Sequence, residues 1–168
     1  NRLGDDFRDA LFKRTGGSAL FTVELLSTLK DRGVLVRDDE KGWIQAADLD
    51  WSQVPPRVEG IISERLNRLS AASLELLRAA ATEGEEFTAE VAACAAGWEP
   101  RDAIRHLSET LGRQEQLVRA LGVSGTQGGR ASRYRFGHTL FRQQLMTSLD
   151  AAERCYLHET IANCLTRV

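Results

Sequence analysis

The sequence predicts a mainly α-helical fold with two small β-hairpins, divided into a segment over residues 1–69 and another over residues 70–168. Apolar residues recur at helical spacing through most of the chain, which is typical of amphipathic helices. Two short alternating runs flank turns rich in glycine or charge, which is typical of hairpins. With 168 residues and 42% hydrophobic content, the chain can bury one ordinary core or two small ones.

The first helix is predicted over residues 5–15, with Phe7, Leu11 and Phe12 on one face. The pair Gly16-Gly17 ends it, because glycine readily adopts the conformations that stop a helix. Ser18 is a typical N-cap for the helix that follows. These residues alone favour an ordinary helix–helix turn, and the alternative is an anion site at the free N–H groups of the first helical turn.

The second helix is predicted over residues 18–32, with Gly33 just beyond its end. A small hairpin follows, with strands over residues 34–37 and 43–45. A third helix is predicted after Pro55-Pro56, because proline suits a first helical turn. Its apolar positions have regular helical spacing: Val58, Ile61, Ile62, Leu66 and Leu69.

Three shorter helices are predicted next, over residues 72–83, 88–96 and 100–111, in the order of a helix-turn-helix unit. A second hairpin, with strands over residues 117–121 and 133–136, occupies the place of the wing in a winged helix. Two helices close the chain. The last begins at Asp150 with Glu153 as its capping-box partner, and we expect Leu157, Ile161 and Leu165 to face inward.

The charge balance disfavours binding to nucleic acid, because the formal net charge is −2. A DNA-binding interpretation would use six arginines of the third short helix and the second hairpin: Arg101, Arg105, Arg113, Arg130, Arg133 and Arg135. Asp102 and Glu109 lie beside them and weaken their positive field. We therefore do not expect a nucleic-acid partner.

Cys94, Cys155 and Cys164 form an odd set without a close pair, so we expect three buried thiols in a reducing cytoplasm. No apolar stretch reaches the roughly 20 residues of a membrane span, and the N-terminus has no secretory signal. We expect a cytoplasmic protein without membrane contact. Since the sequence lacks an initiating Met, we expect it to be a piece of a longer protein.

Motifs for catalysis or metal binding do not occur. The chain has neither the Gly-x4-Gly-Lys-Ser/Thr phosphate loop nor a Gly-x-Ser-x-Gly nucleophile turn. Cys155 and His158, three residues apart on one predicted helix, have no second pair with which to complete a metal site. We expect no catalytic residue, no metal site and no enzymatic activity of this chain alone.

Three segments, over residues 14–26, 51–66 and 134–145, together resemble the region that follows the nucleotide-binding core in STAND-type signalling ATPases. These relatives of AAA+ proteins occur in multidomain bacterial regulators and cyclase-linked proteins. The resemblance covers nearly all of the chain. It implies a helical lid-like subdomain over residues 1–69 and a winged-helix-like subdomain over residues 70–168.

The resemblance also implies nucleotide-binding residues. Gly17, Ser18, Ala19 and Leu20 match the family's glycine-x-proline stretch, and Ala19 occupies the position of the proline that packs near adenine. His138, in Phe136-Gly137-His138-Thr139-Leu140, resembles the winged-helix histidine that reads the β-phosphate of ADP. The alternative is that the His138 imidazole only caps its helix or satisfies a buried carbonyl.

The resulting expectation is a non-catalytic regulatory segment of a multidomain ATPase. It would close over ATP or ADP bound by an upstream core, its partner in the same protein, and relay the nucleotide state to other domains. The fragment itself would hold no cofactor. The alternatives are a winged-helix DNA-binding module and a protein-interaction scaffold that never touches a nucleotide.

Overall fold

A computed structural model of the chain describes residues 3–38, 42–45, 49, 57–126 and 129–166. The fold is mainly helical with two small antiparallel sheets, as the sequence predicts. The chain divides into two compact units, unit 1 over residues 1–68 and unit 2 over residues 69–168. Every helix in the described ranges is too short or too polar to cross a membrane.

Unit 1 contains three helices and one hairpin in its described part. The elements are α1 (Asp5–Thr15), α2 (Ala19–Asp31), β1 (Leu35–Asp38), β2 (Gly42–Gln45) and α3 (Val58–Asn67). The predicted helices and hairpin are confirmed. The predicted proline start of α3, at residues 55–56, lies outside the described residues.

The core of unit 1 is small and apolar, formed by Phe7, Phe21, Leu25, Leu29, Leu35 and Ile61. Between α2 and α3, the Glu24 carboxylate pairs with the Arg65 guanidinium at 2.5 Å, and the two side chains are 7% and 13% exposed. Phe12, which we placed on the same face as Phe7, is 67% exposed. It follows Leu11 directly, and neighbouring positions of a helix point about 100° apart.

Unit 2 combines five α-helices, one π-helical turn and a three-stranded sheet among the residues that the structure describes. The elements are α4 (Ala71–Glu83), β3 (Glu86–Thr88), α5 (Ala89–Ala96), α6 (Pro100–Ser108), the π-helical turn (Glu109–Gln114), β4 (Val118–Thr126), β5 (Gly129–Phe136), α7 (Thr139–Thr147) and α8 (Ala151–Leu165). The strand order is β3-β5-β4, with both pairs antiparallel.

The strands of unit 2 differ from the prediction. The sequence predicts helices over residues 72–83 and 88–96 with no strand between them, but β3 pairs there with the end of β5, Glu86 opposite Arg135. The second hairpin is longer than predicted, because β4 continues through Gly125. Its ladder shifts register between Ala120 and Gly122, which leaves Leu121 as a β-bulge.

The third helix of unit 2 ends earlier than predicted. It stops at Ser108 and continues as the π-helical turn, in which Gly112 approaches the preceding turn closely. A Cβ atom on Gly112 would lie 2.8 Å from the Leu107 carbonyl oxygen. The wide turn therefore requires glycine at this position.

Two cysteines of unit 2 correct our expectation of free, buried thiols. Cys94 at the end of α5 and Cys164 at the end of α8 form a disulfide, with their Cα atoms 6.0 Å apart. The third cysteine, Cys155, is free but exposed. Spacing could not reveal this pair, because 70 residues separate its members and only the packing of α5 against α8 brings them together.

Helix α8 begins as predicted and packs differently from the prediction. Asp150 and Glu153 form a capping box at its start. Ile161 is buried and Leu157 is half-buried, as expected. Leu165 is 52% exposed, which contradicts its predicted inward position. Cys164 takes the buried place instead, because the disulfide draws that side of the last turn toward α5.

Candidate functional site

The first candidate site is the glycine turn between α1 and α2. Gly16 ends α1 in a left-handed conformation, and its N–H donates to the Phe12 carbonyl at 2.8 Å. Gly17 also has a positive φ of 78°. A Cβ atom on Gly17 would lie 3.3 Å from the Phe12 ring. Both the backbone conformation and this contact favour glycine at position 17.

Ser18 caps α2, as predicted. Its hydroxyl accepts a hydrogen bond from the Phe21 N–H at 3.3 Å. Ala19, which is exposed, and Leu20, which is half-buried, form the first turn. Their N–H groups have no carbonyl partner within the helix, and no acidic side chain of α2 lies in this turn. This end of α2 therefore carries partial positive charge that an anion would stabilise.

The second candidate is His138, at the junction of β5 and α7. It is the N-cap of α7, and its Nδ1 accepts the Leu140 N–H at 3.1 Å. Because an accepting nitrogen carries no proton, the neutral ring holds its proton on Nε2. The half-buried imidazole thus presents an N–H donor opposite its capping edge.

The turn before His138 is tightly fixed. Gly137 donates its N–H to the Leu117 carbonyl at 2.8 Å. A Cβ atom at Gly137 would lie 3.0 Å from the Gln116 carbonyl oxygen. The strand end and the helix start are therefore held in register, which fixes the position of His138.

The candidate residues divide between the two units. Gly17, Ser18, Ala19 and Leu20 form one turn of unit 1, and His138 belongs to unit 2. Each group lies at the start of a helix, and each offers N–H donors. Both are therefore suited to anionic groups, which is the chemistry of a phosphate-containing ligand.

Half of the six arginines in the DNA-binding interpretation have acidic neighbours. Arg105 pairs with Asp102 at 2.9 Å. Arg133 lies 3.8 Å from the Glu83 carboxylate and 3.7 Å from that of Glu86. Arg135 lies 3.9 Å from Glu86 as well. These carboxylates offset much of the positive field that phosphate backbones would require.

One carboxylate in this cluster was not anticipated from the sequence. Both Glu83 side-chain oxygens lie 3.0 Å from the Thr88 N–H, which donates to them, and the side chain is 10% exposed. Burial raises the pKa of Glu83, and the Thr88 hydrogen bonds and nearby Arg133 oppose that rise. The group joins the end of α4 to the start of α5, so its role in the fold is structural.

A second unanticipated cluster surrounds His106. Its Nε2 lies 2.8 Å from the Ser73 hydroxyl, which lies 2.8 Å from the Ser70 hydroxyl. The Trp98 ring packs on the imidazole with centroids 5.1 Å apart. Burial lowers the pKa of His106. Because Ser73 is only 4% exposed, a substrate cannot reach its hydroxyl, and the cluster acts as a bridge between α4 and α6.

Comparison with known proteins gives no assignment, since no family model, no curated protein and no solved structure matches this chain. Among the described residues, no group of three or more His, Cys, Asp or Glu side chains is arranged to hold a metal ion. The functional argument therefore rests on the local geometry of the two helix starts.

Proposed function

We propose that this chain is a non-catalytic regulatory segment of a multidomain STAND-type ATPase. In this proposal, unit 1 is the helical lid and unit 2 is the winged helix. An upstream core holds ATP or ADP, and the two units respond to which nucleotide is bound. The order of three helices, one short strand and a hairpin in unit 2 supports this interpretation.

The observation that carries the proposal is the orientation of His138. Capping through Nδ1 uses one edge of the ring and holds the other nitrogen as a donor at the start of α7. A β-phosphate would accept from Nε2 and would lie at the positive end of the helix dipole. Capping and phosphate recognition therefore use different atoms of the same imidazole.

The mechanism is a change in population between two interdomain arrangements. ADP would favour the arrangement in which His138 reaches its β-phosphate, and ATP would favour another. The turn at Gly17, Ser18, Ala19 and Leu20 would meet the adenine and sugar side. The proposal also places the protein in the cytoplasm, where cellular reductants keep most thiols reduced. The redox state of Cys94 and Cys164 in the cell is therefore a direct check on this location.

The test uses the longer protein that carries the proposed nucleotide core. It separates helix capping through Nδ1 of His138 from phosphate recognition through Nε2. His138→Asn keeps an oxygen acceptor at the N-cap position and removes the distal N–H donor. We expect ADP affinity, measured by calorimetry, to fall about tenfold or more, because a charge-assisted hydrogen bond is lost. The melting temperature should stay near that of the unmodified protein.

Ser70→Ala is the matched control, because it removes the N-cap of α4 without touching the α7 junction. It should lower stability and leave ADP affinity unchanged. An ADP affinity that does not respond to His138→Asn would contradict the phosphate role. Together with no nucleotide binding by the longer protein, that result would favour the interaction scaffold.

A further inference from the structure

Unit 2 contains a groove of about 270 Å³ between α4, the end of α5 and the start of α8. Glu75 and Arg78 from α4 line one side, and Glu153 from α8 lines another. No residue of the two candidate sites above contributes to it. Positively and negatively charged side chains therefore line the same groove.

Arg78 is the unusual member of this groove. Its side chain is half-buried, and its Nε atom is buried without a hydrogen-bond acceptor among the described residues. Within the same part of the chain, no carboxylate lies within ion-pair distance of its guanidinium. The buried Nε is out of reach of a ligand, whereas the terminal nitrogens of the same guanidinium line the groove without an acceptor among the described residues. A ligand carboxylate would accept hydrogen bonds from these terminal nitrogens.

The two carboxylates that line the groove have oxygen atoms that can accept hydrogen bonds from a cation. Glu153 uses Oε2 to accept the Asp150 N–H at 3.0 Å, so its Oε1 stays available. Glu75 is exposed on α4, one helical turn before Arg78. Neither acid pairs with Arg78, although all three line the same space. The groove therefore separates opposite charges that a ligand can bridge.

The remaining lining is small and largely apolar. Ala95 and Ala96 form the last turn of α5, whose carbonyl groups carry partial negative charge. Leu149 and Leu157 add apolar surface, and the exposed Tyr156 stands at the rim. A short aliphatic side chain fits against this surface.

We infer that this groove binds a small zwitterion of the α-amino acid class. The ligand carboxylate accepts hydrogen bonds from Arg78, and the ammonium group lies between Glu75 and Glu153. The ligand side chain packs on Ala95 and Ala96. This inference is independent of the proposed nucleotide function, because it uses other residues and another ligand.

Both ligand charges are needed. A simple carboxylate would meet Glu75 and Glu153 together with Arg78, so repulsion would cancel much of its attraction. A simple amine would in turn meet the unpaired guanidinium. A molecule that carries both charges close together satisfies all three side chains, and an α-amino acid does so because its ammonium and carboxylate groups are bonded to the same carbon.

The experiment uses the 168-residue chain and begins with thermal denaturation in the presence of each standard L-amino acid. Amino acids that raise the melting temperature are then titrated by calorimetry. L-leucine is compared with 4-methylpentanoate and 3-methylbutylamine, which each lack one of its charged groups. We expect saturable binding of one or more amino acids and none of the two half-ligands.

Arg78→Gln should weaken amino-acid binding by at least about tenfold, because it removes the bidentate donor. Arg78→Lys keeps the positive charge but removes the bidentate guanidinium, so it should also weaken amino-acid binding. This variant replaces Arg78→Gln in the test if the glutamine variant does not fold. Arg101→Gln is the control, since it removes an exposed arginine on α6 outside the groove.

Three results would each overturn the inference. The first is that no amino acid stabilises or binds the chain. The second is that a half-ligand binds as tightly as L-leucine, which would remove the need for two charges. The third is binding that Arg78→Gln and Arg101→Gln leave equally unchanged, because the ligand would then lie elsewhere.

Discussion

The two units bury apolar surface on different scales. In its described part, unit 1 buries eight apolar side chains, six of them in one cluster, and its one largely buried ion pair is Glu24–Arg65 between α2 and α3. Unit 2 has a larger core, a three-stranded sheet and a disulfide. The comparison indicates that unit 1 depends on a few individual contacts, whereas unit 2 spreads its stability over many.

The largest expected effect tests the covalent contribution in unit 2. Replacing Cys94 and Cys164 together by serine should lower the stability of this unit by about 2–4 kcal/mol, because the bond closes a long loop in the unfolded chain. Hydrogen exchange should detect faster exchange of the core amides of α4 and α5, with α2 of unit 1 unchanged.

Cys155→Ser is the control for this change, because Cys155 is exposed and free. It should leave exchange in both units unchanged. Equal protection of α4 in the double variant and the unmodified chain would show that packing alone holds α8 against α5.

An intermediate effect tests the ion pair of unit 1. Glu24→Gln should lower the stability of unit 1 by about 2 kcal/mol, because it removes the negative charge that faces the largely buried Arg65. Exchange of the α2 and α3 amides is the measurement, and unit 2 should not respond. Asp5→Asn, in the exposed Arg8 pair, should cause no measurable change.

If Asp5→Asn and Glu24→Gln had equal effects, burial of the pair would not matter. The Glu24–Arg65 pair would then add nothing to the stability of unit 1, and the contrast with unit 2 would rest on core size, the three-stranded sheet and the disulfide.

The smallest expected effect is a pH dependence in unit 2. Because burial raises the pKa of Glu83 above 4.5, the folded state keeps its proton at pH values where the unfolded state has lost it. The stability of unit 2 should therefore fall as pH rises from about 4.5 through the folded-state pKa. Glu83→Gln should flatten this part of the profile.

Chemical denaturation over a pH series, followed by a signal from unit 2, is the measurement. Glu85→Gln removes a neighbouring exposed carboxylate and should keep the profile of the unmodified chain. A profile that is the same in both variants would mean that another group produces the slope.

Local signals in the sequence predicted most of the helices. Ser18 as an N-cap, Gly33 after α2 and the Asp150–Glu153 capping box act within a few residues, so the sequence alone reveals them. The three-residue strand β3 has no periodicity of its own and forms only because β5 lies beside it. Pairing with β5, which forms only in the folded chain, therefore determines the conformation of β3.

The candidate sites were predictable to different degrees. The sequence left His138 open between a helix cap and a phosphate contact, and the structure provides the cap through Nδ1. Its phosphate role stays a prediction. The disulfide and the Arg78 groove could not be found in the sequence, because each depends on helices that meet only after folding.

The β-bulge at Leu121 has a consequence for the behaviour of many copies of the chain. Strand β4 is at the edge of its sheet, and the exposed Leu121 and Val123 would make a regular edge there attractive to another strand. The bulge breaks the even spacing of backbone donors and acceptors and increases the local twist. It thereby hinders strand-to-strand growth between molecules and favours a dispersed protein at high concentration.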